Sequence, residues 1–284
     1  MAVDLHTHSR ASDGSDPPQR VVELAAERRL TALALMDHDT LAGIPAAREA
    51  AAALGIPLIP GVELSVEWPT GTMHLLAYFL EPGPGPLQDR LEALRNGRAV
   101  RNAAIVGALN DLSIDITIEE VEVESGGDSI GRPHIAAILV RKGAVRSMAD
   151  AFDRYLADGR PAYRRRPRLE AAEAVRLTTA SGGVAVVAHP HTVAGSSEGF
   201  ADAFEAFVDI GVAGIECHYS EYPPPLRTRL AEMAAGFGLI ATGGSDYHGT
   251  YKPGLDLGIG HGDLSVPDAA YDALLAARPR EAPR

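Results

Sequence analysis

Cysteine is almost absent from this chain. The lone Cys217 excludes an intrachain disulfide and a thiolate-rich structural zinc site, and it fits a reducing compartment. Aromatic residues are scarce, at 5%, so Ala, Val, Leu and Ile must fill the core; hydrophobic residues make up 46% of the 284, enough for a sizeable one. No apolar run approaches the roughly 20 residues that span a bilayer. The opening stretch MAVDLHTHS lacks the basic-then-apolar order of a secretion signal, so a cytoplasmic protein without membrane attachment is expected. A surplus of positive charge is missing too. The formal net charge of −12 argues against broad, nonspecific DNA binding, and no stable DNA partner is expected. That charge is uneven, because residues 83–168 hold 14 basic against 12 acidic side chains and the acid lies elsewhere. Bound divalent cations would offset part of it, so an acidic chain can still accept an anionic substrate. Arginine supplies nearly all the basic charge, since Lys142 and Lys252 are the only lysines.

Short β-type runs alternate with Ala- and Leu-rich helical runs, the pattern of a parallel α/β domain. The expected strands are Ala2–Leu5, Ala32–Met36, Pro57–Ile59, Thr72–Phe79, Val184–Ala188, Gly214–Cys217 and Leu239–Thr242. The expected helices include Pro17–Arg29, Leu41–Leu54, Arg168–Ser181, Phe200–Ile210, Pro223–Gly236 and Pro267–Ala277. Pro17 and Pro18 suit a helix start and Gly55 a helix stop. The stretch EPGPGP, Glu81–Pro86, breaks the alternation, which resumes only at Arg168. The division expected is a main domain of residues 1–82 and 168–284, with 83–167 as an inserted, mostly helical subdomain. The tail, Arg278–Arg284, is expected to fray.

The histidines are not scattered at random. His6 and His8 follow the run AVDL, His38 follows ALALMD, and His189 and His191 follow VAVVA. His218 follows GIEC, while Asp246 and His248 follow LIATGGS. Each lies just past the carboxyl end of an expected strand, where α/β barrels assemble their active sites. Alternate residues of a strand share a face, so His6 and His8 can chelate one ion, and Asp246 and His248 repeat that spacing. Glu63 closes the apolar segment LIPGVE, and its two oxygens can bridge metals. Imidazole with carboxylate suits Zn, Mn or Fe better than Ca or Mg.

In order along the chain, DLHTHSRASDG, MDHD, GVELS, MHLLAY, VVAHP and GGSDYH resemble the motifs of the PHP (polymerase and histidinol phosphatase) superfamily. They run from Asp4 to His248. The resemblance implies a distorted (β/α)7 barrel with a centre of two or three divalent metal ions, Mn, Zn or Fe. Carried over position by position, it implies that His6, His8, Glu63 and Asp246 bind a first metal. Glu63, His74 and His189 would bind a second, with Glu63 bridging, and Asp13, His38 and His248 a third. The insertion, with GRPHIAAILVRKGAV and AFDRYLADGRPAY, looks like the branch that removes the 3′-phosphate from nucleoside 3′,5′-bisphosphates, some of whose members are 5′–3′ exoribonucleases. A nucleotide or short RNA is the implied substrate, attacked by a metal-bridging hydroxide. Arg132 and His134 would contact a substrate phosphate. His191 and His218 are positional candidates for the general acid, and Asp4, Asp37 and Asp39 for carboxylates supporting the ligating imidazoles. Competing functions are a histidinol-phosphate phosphatase, a protein-tyrosine phosphatase of the same superfamily, or a noncatalytic interaction module.

Each residue also has a plainer role open to it. His74 stands inside a strand and could be a core histidine. Asp13 could cap a turn with Gly14. Arg132 and His134 could cap the helix beginning near Pro133. Arg98, Arg101 and Asn102 on an insertion helix are read as surface salt-bridging residues, and Arg164–Arg166 as a solvated face. Cys217 reads as a small buried hydrophobe, Trp68 and Tyr78 as barrel packing, and His261 as a surface residue.

Overall fold

The computed structural model describes residues 2–69, 71–126, 130–194 and 200–279. Nine strands form one sheet: β1 (Ala2–Thr7), β2 (Leu33–Leu35), β3 (Leu58–Trp68), β4 (Gly71–Tyr78), β5 (Leu169–Glu170), β6 (Val184–Val187), β7 (Gly214–Tyr219), β8 (Ile240–Gly244) and β9 (Val266–Pro267). The spatial path is β8-β7-β6-β4-β3-β2-β1-β9, with β5 added beside β3. A bridge between Thr7 and Tyr247 brings the end of β1 against the segment leaving β8, so the path curls into a nearly closed, distorted barrel. The ring from β1 round to β8 leaves out only β5 and β9, and β9 flanks it antiparallel to β1.

Helices wrap the outside. Those of the barrel are α1 (Pro18–Glu27) and α2 (Ile44–Leu54). After β4 comes a helical stretch: α3 (Pro86–Asp111), α4 (Ile118–Ser125), α5 (Arg132–Arg141), α6 (Met148–Ala151) and a π-helical turn at Phe152–Leu156. The barrel helices then resume as α7 (Ala171–Ala180), α8 (His191–Ala194), α9 (Phe200–Asp209), α10 (Pro224–Gly236) and α11 (Asp268–Ala277). The proline starts and the left-handed Gly55 stop occur where the sequence placed them. Residues 280–284 of the expected frayed tail lie outside the described residues.

One expectation changes. The sheet is mixed, because β3 does not end at Ile59 but runs 11 residues through Glu63 and folds back on β4. This antiparallel pairing runs in unbroken register from Gly61↔Tyr78 to Trp68↔Gly71. The reason is the alternation in VELSVEW. Val62, Leu64 and Val66 face the core, while Glu63 and Ser65 face the barrel mouth. Tyr78 seals the interior by donating to the carbonyl of Leu5, and Trp68 packs on Phe207. Core packing also divides α3. Leu87, Leu91 and Leu94 join the barrel core, whereas Ile105 and Leu109 join a separate cluster with Val121, Ile135 and Leu139. A single helix therefore anchors the helical stretch on the barrel.

Candidate metal centre and anion cavity

Six imidazoles and three carboxylates converge at the carboxyl ends of the barrel strands. His6 and His8 come from the end of β1, Glu63 from mid-β3 and His74 from β4, directly across the hairpin from Ser65. His38, His189, Asp246 and His248 stand on the loops after β2, β6 and β8, and Asp13 on the loop after β1. Gly244 makes the closest approach possible, since a Cβ there would sit 2.4 Å from the Cβ of His6 and 2.5 Å from its nitrogen. Asp39, His189 and Asp246 all adopt positive φ, at 56°, 26° and 56°. Backbone strain thus gathers around the convergence.

Three groups of donors can be distinguished, each with its ligand atoms within 4.8 Å of one another: His6, His8, Glu63 and Asp246; His8, Asp13, His38 and His248; and His38, Glu63 and His74. The first is the expected foursome. The third expected trio is brought together with His8 added, and His38 stands beside Glu63 and His74 where His189 was expected. His189 is nonetheless adjacent, its Nε2 3.1 Å from Glu63 Oε1. Glu63 occupies the middle, with Oε2 3.3 Å from His6, 3.1 Å from His8 and 3.3 Å from His38, and Oε1 2.7 Å from His74.

Such a set fits divalent cations on its own chemistry. Nε2 of His6 lies 3.1 Å from Nε2 of His8, two ring nitrogens facing each other beside Glu63 and Asp246. The Nδ1 atoms of His8, His38 and His189 are buried without a hydrogen-bond partner among the described residues. Electrostatics tell the same story. Burial opposes charge on His8, but Asp246 and Glu63 outweigh it and raise the imidazole to about 9. Burial dominates at His38 and lowers it to about 3. Glu63 and Asp13 are held well below the usual carboxylate range, against burial, by the surrounding imidazoles. Nitrogen and oxygen donors without thiolates suit divalent cations of borderline hardness.

A cavity of about 410 Å³ opens from this cluster toward the helical stretch. His38, His74 and His189 form one wall, and Arg98, Arg101, Arg132, Arg166 and Arg168 line it elsewhere. Here the structure corrects the sequence reading. Arg98, Arg101 and Asn102 are buried, not solvated, and so is Arg166, while Arg165 alone of its run is exposed. Asp39 explains the inward turn: one of its oxygens accepts from Arg98 at 2.5 Å and from Arg166 at 2.6 Å. Among the described residues Arg101 pairs with no carboxylate; its guanidinium donates to Asn102, at 2.7 and 3.1 Å. Burial, with Arg98 and Arg166 beside it, lowers Arg101 to about 8, so an incoming anion would relieve an uncompensated charge. Arg132 is clasped between the rings of Phe152 and Tyr163, 5.7 Å from each, and donates to the carbonyl of Leu156 at 3.0 Å.

The remaining expected residues divide. His134 is fully buried off the cavity, where its Nδ1 accepts from the N–H of Gly131 at 3.0 Å and closes the start of α5. His191 sits on the rim of a second opening with Thr192, Tyr219 and Lys252, its Nδ1 2.9 Å from the hydroxyl of Tyr222. His218 lines neither opening, because β7 shifts register between Glu216 and His218 and Gly243 packs against the latter. Asp4 and Asp37 touch no imidazole. Asp4 accepts from Ser245 and Gly258, and Asp37 from Ser9 and Ser12, because the main-chain amides and hydroxyls of these buried loop starts need acceptors. Asp39 serves the arginines instead. Outside the donor groups, the carboxylate that meets an imidazole among the described residues is Glu216, 2.9 Å from Nδ1 of His6. Sequence reading passed over it in favour of His218, although Glu216 ends the same GIE run. Lys252 was also missed; it donates to Asp246 Oδ2 at 2.5 Å, as does Tyr219 at 2.9 Å.

Comparison with known proteins places this geometry among relatives. A model described as "PHP domain" matches residues 4–156. A 3′,5′-nucleoside bisphosphate phosphatase from Chromobacterium violaceum is 34% identical, over 90% of this chain and 90% of its own. The 5′–3′ exoribonuclease Rnm of Salmonella typhimurium is 34% identical, over 87% of this chain and 85% of its own. A solved structure from Chromobacterium violaceum, described as an amidohydrolase with bound sulfate and no metal, superimposes with a TM-score of 0.86 at 32% identity, covering 99% of each chain.

Proposed function

The chain belongs to the PHP family of metal-dependent phosphoesterases, and on that premise we propose that it hydrolyses phosphate monoesters of nucleotides, removing the 3′-phosphate of nucleoside 3′,5′-bisphosphates. The observation carrying this reading is the arginine-lined cavity that opens directly from the donor cluster. Among the described residues, the five guanidiniums share the lining with one carboxylate outside the cluster, the exposed Asp158, and Asp39 pairs with Arg98 and Arg166, so room remains for substrate charge of more than one phosphate. A monoester of low charge would leave Arg101 and Arg132 without an anion.

His6, His8, Glu63 and Asp246 would hold one ion, Glu63 with His74 and His189 a second, and Asp13, His38 and His248 a third; Mn, Zn or Fe suits them. When bound, such ions neutralise phosphoryl charge and lower the pKa of bound water toward neutrality. The chain's own residues do the rest. Glu63 spans the centre and keeps its imidazoles converged. Arg98 and Arg166, fixed by Asp39, present guanidiniums beside the reacting phosphate, and Arg101 and Arg132 take the second phosphate at a distance from the cluster. His191, on the rim of the second opening beside the cluster, is the candidate to return a proton to the leaving oxygen. By the same recognition, the 5′-phosphate end of a short RNA would enter this cavity, the activity named in the exoribonuclease relatives.

The test is a panel of adenosine 3′,5′-bisphosphate, AMP, histidinol phosphate, phosphotyrosine peptide and a 5′-phosphorylated oligoribonucleotide, each with manganese-loaded protein. Turnover of the bisphosphate well above AMP is expected. Turnover of histidinol phosphate or phosphotyrosine alone would reject the substrate assignment, and protein unable to hold two ions per chain would favour a noncatalytic module.

A further inference from the structure

Glu216 belongs to none of the donor groups, yet it joins His6 of the first to His189 beside the third. It is fully buried on β7, between β6 and β8 in the sheet. Its Oε1 lies 2.9 Å from Nδ1 of His6, and its Oε2 accepts from the main-chain N–H of His189 at 2.8 Å. The atom of His6 that faces His8, Glu63 and Asp246 is the other ring nitrogen, Nε2. An imidazole whose Nδ1–H donates to a carboxylate keeps a lone pair on Nε2. His189 has a φ of 26°, a conformation that needs external support, and its amide hydrogen bond supplies one.

We propose that Glu216 is a positioning residue: it pins the proton of His6 on Nδ1, so that Nε2 is the ligating atom, and with its second oxygen it fixes the backbone that carries the His189 imidazole to Glu63. A single carboxylate thereby sets the orientation of ligands from β1 and from the loop after β6. Only a carboxylate can do both, since both neighbours present N–H groups. Glutamine offers one oxygen and one NH2, so it satisfies one neighbour and turns a donor toward the other. Either His6 switches tautomer and protonates the ligating nitrogen, or the His189 amide loses its acceptor.

This rests on the metal-centre reading, and the experiment separates the two. Zinc affinity and stoichiometry are measured by titration calorimetry and elemental analysis for the wild-type chain and for Glu216→Gln, with circular dichroism to follow the fold. The proposal expects the variant to stay folded and to bind at least one ion 10–100-fold more weakly, the usual size of such a loss. Wild-type protein that holds no zinc would sink the metal-centre reading itself. Wild-type protein that holds zinc no better than a folded Glu216→Gln would overturn only the role of Glu216, because a merely structural carboxylate would lower the melting temperature and leave affinity alone. Should the variant not fold, long-range 1H–15N spectra of the zinc-loaded wild type decide. A proton on Nδ1 of His6 with Nε2 metal-bound supports the assignment, and the reverse refutes it.

Discussion

Glu63 reaches five imidazoles with two oxygens, and His8 belongs to two of the three donor groups, so single side chains here serve more than one neighbour. Removing one should therefore cost more than one ion. His8→Ala is expected to abolish phosphatase activity and lower the number of retained metals while leaving the melting curve near wild type, because no core contact depends on the ring. Loss of the cooperative fold in circular dichroism would contradict this. Protonation gives a second prediction. His6 and His8 are both raised by nearby carboxylates, His8 to about 9, so at neutral pH the metal-free protein keeps protons that an ion must displace. Metal affinity should then climb as pH rises from 7 toward 9 and fall as pH drops, with proton release visible as buffer-dependent heats of binding. A flat affinity across that range would show that the imidazoles are already neutral.

Secondary-structure elements hold these residues at their distances. The β3–β4 hairpin supplies Glu63 and His74 from adjoining strands, and its register sets their 2.7 Å approach. At the seam of the barrel, β8 lies against β1 so closely that only glycine fits at 244. Gly244→Ala must push the seam apart, with a stability loss of about 1–3 kcal/mol expected from overpacking and a matching fall in metal affinity. Urea unfolding and metal titration would check it, and unchanged values would mean that the strands separate freely. Strand ends were readable from the sequence, since apolar runs followed by His, Asp or Glu mark β1, β2, β6 and β8. The hairpin was not. The alternation continuing past Glu63 in VELSVEW was the available signal, masked by the apolar run that precedes it.

At the scale of the molecule, the helical stretch turns a metal-binding mouth into a walled cavity. Arg98 and Arg101 from α3, Arg132 from α5, and Arg166 and Arg168 on the return to the barrel face His38, His74 and His189. Arg101→Gln is expected to raise KM for the bisphosphate by roughly 10–100-fold, the worth of a charge-assisted hydrogen bond, and to leave a small aryl phosphate nearly unaffected. Equal effects on both substrates would remove Arg101 from specificity.

The amino-acid order by itself determined the family, the alternation of strands and helices, the interruption after β4 and which His, Asp and Glu residues converge at the barrel mouth. These follow from local signals: hydrophobic period, proline and glycine punctuation, and polar residues placed at strand ends. Only the tertiary structure decided that Arg98, Arg101 and Arg166 turn inward, that Glu216 and not Asp4 or Asp37 meets the His6 imidazole, and that His38 stands beside Glu63. Those outcomes depend on which buried charge finds its counterpart across the fold. Asp39 draws arginines from residues 59 and 127 positions away, a pairing no local pattern encodes.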